Sequence, residues 1–92
     1  MILSFKHRGL KRLFEKGDRS KLPADMITRI EVLLAALDEA QMVEHLERPS
    51  FRLHPLKGQR KGQWSVTVRA NWRITFRFED GDILDVNFED YH

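Results

Sequence analysis

The chain has no cysteine, which excludes disulfide staples, thiolate metal sites and cysteine nucleophiles and fits a reducing, cytoplasmic setting. No apolar run approaches the roughly 20 residues needed to cross a bilayer. Met1 to Lys16 mixes charge with apolar residues, unlike a secretory signal or an anchor. Glycine and proline are sparse, at 5 and 3 residues, and no linker, repeat or low-complexity tract divides the chain. Ninety-two residues therefore make one domain, 1–92, with room for one sheet and a few helices but not for separate substrate and cofactor domains. At 41% apolar and 33% charged residues, the composition is too apolar for a disordered tail.

Charge is sorted along the chain. Met1 to Lys21 carries seven basic and two acidic residues, and Leu22 to Glu47 one arginine against six acids. Arg48 to Arg77 holds eight basic residues and no acid, and Phe78 to His92 six acids and no lysine or arginine. A net charge of only +2 thus leaves room for a basic face that would attract a polyanion in a salt-dependent way. Most charge runs are simply solvated; an acid-free stretch of this length weighs against that reading.

The first half has helical periodicity and the second alternates, the order expected of an α+β domain. A short opening strand is expected at Ile2 to Phe5. Leu10, Leu13 and Phe14 share one side of a helix that Gly17 ends, with Lys11, Arg12 and Lys16 on the other. Pro23 suits the first turn of a second helix, whose stripe is Met26, Ile27, Ile30, Leu33, Leu34 and Leu37. Asp38 and Gln41 suggest a capping box for a third, shorter helix or a kink. Phe51 and Leu53 then alternate with Arg52 and His54, and Trp64, Val66 and Val68 with Ser65, Thr67 and Arg69. After a turn at Ala70-Asn71, Trp72, Ile74, Phe76 and Phe78 alternate with Arg73, Thr75, Arg77 and Glu79. Asp80-Gly81 predicts a tight hairpin. The last strand is expected to turn Leu84, Val86 and Phe88 inward. Helices would cover one face of the sheet, leaving Arg52, His54, Ser65, Thr67, Arg69, Arg73 and Arg77 on the other. Such a face can seat a phosphodiester backbone, although solvent-facing strand positions are polar in any case.

Of the four histidines, His7 and His45 read as surface residues. His54 precedes the basic loop 57–62, and His92 follows Asp90 and Tyr91. Two imidazoles, a phenol, a carboxylate and nearby cations suffice for RNA cleavage without metal. One group takes the 2′-hydroxyl proton, another protonates the leaving 5′-oxygen, and cations meet the charge at phosphorus. Asp80, Asp82 and Asp85 lack calcium-loop spacing, the basic loop lacks P-loop spacing, and no serine sits in an elbow motif. No metal site and no cofactor are expected.

Four stretches carry a family resemblance: Ile2 to Lys16, Leu53-His54-Pro55-Leu56-Lys57-Gly58, Trp64 to Phe76 with its Val-Arg-Ala-Asn-Trp-Arg-Ile run, and Glu89-Asp90-Tyr91-His92. Through them the sequence resembles the HigB toxins of bacterial toxin–antitoxin modules, within the RelE/ParE superfamily. The resemblance implies a microbial-ribonuclease-like fold, with an antiparallel-dominated sheet of four or five strands and two or three N-terminal helices on one face. It implies a ribosome-dependent mRNA endonuclease acting in the decoding site of the 70S ribosome, and a helix-turn-helix antitoxin, HigA-like, as partner. His54, Asp90, Tyr91 and His92 match the family's active-site residues, and Lys57 and Arg73 its phosphate-binding groups. Lys6, Arg8, Lys11, Arg12 and Lys16 are the candidate ribosome contacts. Two rivals stand beside this reading: a ParE-type gyrase poison on the same fold, and a non-catalytic RNA- or ribosome-binding module.

Overall fold

The computed structural model describes residues 1–91. Two helices, α1 (Arg8–Lys16) and α2 (Ile27–Glu39), precede four strands, β1 (His54–Pro55), β2 (Gln63–Arg69), β3 (Trp72–Glu79) and β4 (Asp82–Asp90). The strands pair antiparallel in the order β1-β2-β3-β4. α2 packs against β2 and α1 against β4, so the core lies between one sheet face and the helices. Leu10, Ile30, Leu33 and Leu37 meet Val66, Ile74, Phe76 and Val86 there, all at most 1% exposed.

Local chemistry explains the helix ends. Gly17 closes α1 at φ 68°, the left-handed geometry expected of it. The start of α1 is less usual, because His7 is its N-cap and Nδ1 accepts from the Leu10 amide at 3.2 Å. His7 is also half-buried, with its ring edge-on to Phe88 at 5.7 Å. It is therefore a structural residue and not the surface histidine expected. Pro23 precedes a 3-10 turn (Ala24–Met26) rather than opening α2 directly. Asp38 caps no third helix. It lies inside α2 and accepts from the Ile2 amide at 3.0 Å, while a 3-10 turn, Val43–Leu46, follows the helix.

The strand expected around Phe51 shrinks to His54–Pro55, because Phe51 ends a 3-10 turn and Arg52 is left-handed at φ 50°. Asp80 and Gly81 both take positive φ, 51° and 83°, as a type I′ hairpin requires. Beyond it the alternation slips. Arg77 pairs with Leu84 but Thr75 with Asn87, and Asp85 sits in between at φ 56°. This bulge puts Ile83, Val86 and Phe88 inward and leaves Leu84 half-buried, correcting the expected parity. Ser4 stitches the bulge, its hydroxyl accepting from the Asp85 amide at 2.9 Å. The expected opening strand is reduced accordingly to two parallel bridges, Ile2 to Ile83 and Phe5 to Val86.

Ile83→Ala should cost about 2–5 kcal/mol in urea unfolding, as for a buried large-to-small change; Leu84→Ala should cost clearly less. The opposite ranking would restore simple alternation. Burial holds the His7 imidazole below its ordinary value of 6.5, and only its neutral form has a free Nδ1 acceptor. The cap therefore contributes fully above pH 6.5 and is lost as pH falls through the lower folded value. The unfolding midpoint of His7→Asn, which retains a capping oxygen, should fall less over that interval than wild type.

Candidate functional site

On the sheet face away from the helices, register aligns the polar side chains in rows. His54 pairs with Ser65, Ser65 with Thr75 and Thr75 with Asn87; beside them run Thr67, Arg73 and Glu89. His54, Ser65, Asn71, Arg73 and Tyr91 line one cleft of about 350 Å³. Three of the residues expected from sequence thus come together from three separate segments.

β3 delivers Arg73 to this cleft, where its guanidinium donates to the Ala70 carbonyl at 2.6 Å. Among the described residues Arg73 enters no ion pair. Its register partner is nevertheless a carboxylate, Glu89. That carboxylate is engaged elsewhere: Arg60 donates to both its oxygens, at 2.9 and 2.6 Å, and the Thr75 hydroxyl donates to one of them. The Arg60 bonds hold Glu89 below the usual carboxylate range against the opposing effect of burial, with Thr75 assisting. Reciprocally, Glu89 raises the pKa of Arg60. Arg60 also donates to Gln63 at 2.9 Å and sits 5.6 Å from the Tyr91 ring centroid. One buttress thus withholds Glu89 from Arg73 and braces Tyr91.

The Tyr91 amide donates to the Asn71 carbonyl at 2.8 Å, tying the end of β4 to the β2–β3 turn. Asp90 ends β4 exposed, opposite Trp72, and does not line the cleft. Lys57 is exposed and lines a separate hollow with Leu56 and Trp64. His92 lies outside the described residues. Of the N-terminal cations, Lys6, Arg8, Lys11 and Lys16 are exposed, whereas Arg12 is paired with Asp18 at 2.7 Å.

The basic face is narrower than alternation suggests. Past a register shift between Thr67 and Arg69, Arg69 pairs with Asp25, and Arg77 pairs with Glu79 and lies 3.9 Å from Asp85. Arg52, left-handed and outside any strand, lines another hollow. The side of the sheet that Ser65 takes was legible from alternation, but at 2% exposed it is buried and not open to solvent as expected. Asn71, Arg60 and Glu89 were not singled out, although the outward parity of Glu89 and the basic loop around Arg60 were both visible. Among the described residues no group of three or more His, Asp or Glu gathers to hold a metal ion. What the cleft offers is an imidazole, a phenol, a hydroxyl and one guanidinium without a carboxylate partner among the described residues, suited to an anionic ester.

Comparison with known proteins agrees. Among solved structures, YafQ from E. coli superposes with a TM-score of 0.66 at 16% identity, covering 98% of this chain and 91% of that one. The YoeB–YefM complex from Staphylococcus aureus gives 0.59 at 18%, covering 100% and 95%. The architecture is thus the RelE-like toxin fold. Residues 3–92 match the family described as the RelE-like toxin of type II toxin–antitoxin system HigB. The chain is 58% identical to Endoribonuclease HigB of Proteus vulgaris over 92 residues, all of both chains. It is 32% identical to Toxin HigB-1 of Vibrio cholerae over 87 residues, 92% of each. The chain belongs to the HigB-like toxin family, and an antitoxin is therefore its partner. No helix among the described residues is long and apolar enough to cross a membrane.

Because the pKa of Glu89 is depressed, its ionised form supports the fold above the ordinary glutamate value of 4.5, and that support is lost as pH falls through the lower folded value. Arg60→Gln should be less stable than wild type at neutral pH, and the gap should close in acid. A gap in unfolding midpoint that is constant with pH would show that the pair contributes nothing through charge.

Proposed function

We propose that the protein is a ribosome-dependent mRNA endonuclease, the toxin of a type II module, acting in the cytoplasm. The observation that carries this reading is Arg73, a cation without a carboxylate partner among the described residues, in one cleft with His54 and Tyr91. In the proposed reaction a base takes the proton of the ribose 2′-hydroxyl, whose oxygen bonds to phosphorus. The P–O5′ bond breaks and an acid protonates the departing 5′-oxygen. His92, oriented by Asp90, and His54 are the proton-transfer groups. Arg73 and Lys57 stabilise the phosphorane charge, and Tyr91 hydrogen-bonds or stacks on the target nucleotide. The chemistry needs a 2′-hydroxyl, so DNA is not a substrate. Exposed Lys6, Arg8, Lys11 and Lys16 contact the 70S ribosome, and a HigA-like helix-turn-helix antitoxin restrains the toxin.

Toeprinting on translating ribosomes tests the reading. Wild type should create new 5′ ends inside codons. Arg73→Ala should lower that cleavage by about 10²–10³-fold, as when one preorganised charge donor is lost, and His92→Ala by about 10²–10⁴-fold. Neither should move the urea midpoint appreciably. Ribosome binding without new ends would instead indicate a non-catalytic module, and gyrase–DNA adducts a ParE-type toxin.

A further inference from the structure

Across β1 from the cleft lie two hollows that share Pro55 and Trp64. One, about 300 Å³, includes Leu56, Lys57 and Lys61; the other, about 430 Å³, includes Arg48, Arg52 and Leu53. The helix layer covers β2 fully at Val66 and Val68 but leaves Trp64 only half-buried. Part of the indole therefore stays open between the hollows.

The charges around it are also open. Arg52, Lys57 and Lys61 are exposed and, among the described residues, enter no ion pair. Arg48 lies over the Phe51 ring at 5.0 Å, again with no carboxylate, and Glu47 is the one acid in either lining. Arg12, Arg19, Arg60, Arg69 and Arg77, by contrast, all have carboxylate partners. Cations alone would serve an acidic peptide equally well, but that ligand leaves the indole unused. A nucleotide uses both, stacking its base on the ring and giving its phosphates to the cations.

Register links this surface to the cleft. Pro55 pairs with Trp64 directly beside the His54–Ser65 pair, and adjacent strand residues face opposite sides of a sheet. β1 is an edge strand of two residues, so a chain leaving the cleft rounds a very short edge to reach Trp64.

We propose that the Trp64 hollows form a second RNA subsite, holding a nucleotide that flanks the scissile one. Its base stacks on Trp64 and its phosphates lie against Arg52 and Lys61. The proposal rests on the RNA-cleaving reading of the cleft. Stacking makes this subsite tolerant of base identity, so it adds affinity and direction to the bound strand without adding codon preference.

Fluorescence separates the possibilities, since the chain has only 2 tryptophans. Trp72 stacks on Phe88 at 4.7 Å, so Trp72→Phe keeps an aromatic contact and leaves Trp64 as the single reporter. A fully 2′-O-methylated hexanucleotide, which resists cleavage, should quench that signal, and should still do so when Arg73→Ala is added. Arg52→Ala with Lys61→Ala should weaken binding and flatten the salt dependence by about 0.7 log unit per cation removed. Trp64→Leu should weaken binding roughly 10-fold or more, with Trp64→Phe restoring most of it. The exposed-cation variants keep the test decisive where Trp64→Leu fails to fold. RNA that binds by anisotropy without quenching Trp64 would overturn the proposal. So would an abasic oligomer binding as tightly as the base-bearing one, or polyglutamate binding more tightly than RNA. Ribosomal cleavage without quenching sinks the subsite alone; quenching without cleavage supports the subsite and sinks the nuclease reading.

Discussion

The arrangement of the open face depends on where one carboxylate points. Glu89 stands opposite Arg73 in the β3–β4 register, and a direct pair between them would cancel the charge that the cleft presents. Arg60 prevents this by taking both carboxylate oxygens, with Thr75 adding a third bond. A bidentate guanidinium–carboxylate pair is directional as well as strong, so it sets where the carboxylate lies. The same guanidinium lies beside the Tyr91 ring. One ion pair therefore both occupies the carboxylate opposite Arg73 and stands beside one wall of the cleft.

Pairing of this kind also accounts for how a chain with separated blocks of charge can fold. The acid-free stretch supplies β1, β2 and most of β3, and the acidic stretch supplies the end of β3 and all of β4. Antiparallel pairing lays one beside the other, so Arg77 approaches Asp85 and Arg60 meets Glu89, while Arg77 also pairs with Glu79 on its own strand. What survives is a small number of cations at Arg73, at the Trp64 edge and along the first helix. Concentrating uncancelled charge in a few places favours positioned contact over diffuse attraction.

Much of this was legible where a single local signal decides the outcome. The stripe from Met26 to Leu37, the Gly17 cap and the Asp80-Gly81 hairpin all appear as expected, because period and turn chemistry act within a few residues. Alternation placed His54 and Arg73 on one face, and the resemblance added Tyr91, which the cleft then collects. The departures have long-range causes. The Asp85 bulge is stabilised by Ser4, 81 residues away, and Asp38 serves the Ile2 amide rather than a new helix. His7 looks like any surface histidine until Phe88 packs against it. Arg60 and Glu89 lie 29 residues apart, and neither carries a motif of its own. A contact that forms only after the chain has folded leaves little trace in local pattern.

The bridge between the opening segment and β4 bears on how the fold closes. The Met1 and Ser4 carbonyls accept from the Ile83 and Val86 amides, whose own carbonyls accept from the Leu3 and Lys6 amides, and the Ser4 hydroxyl holds Asp85 as well. The opening segment therefore finds its partners far along the chain, Ser4 and Asp85 being 81 residues apart. β4 also brings Glu89 and Tyr91, so the core and the cleft are completed by the same late segment. Such long-range closure is slow to form, and it couples completion of the cleft to closure of the whole domain.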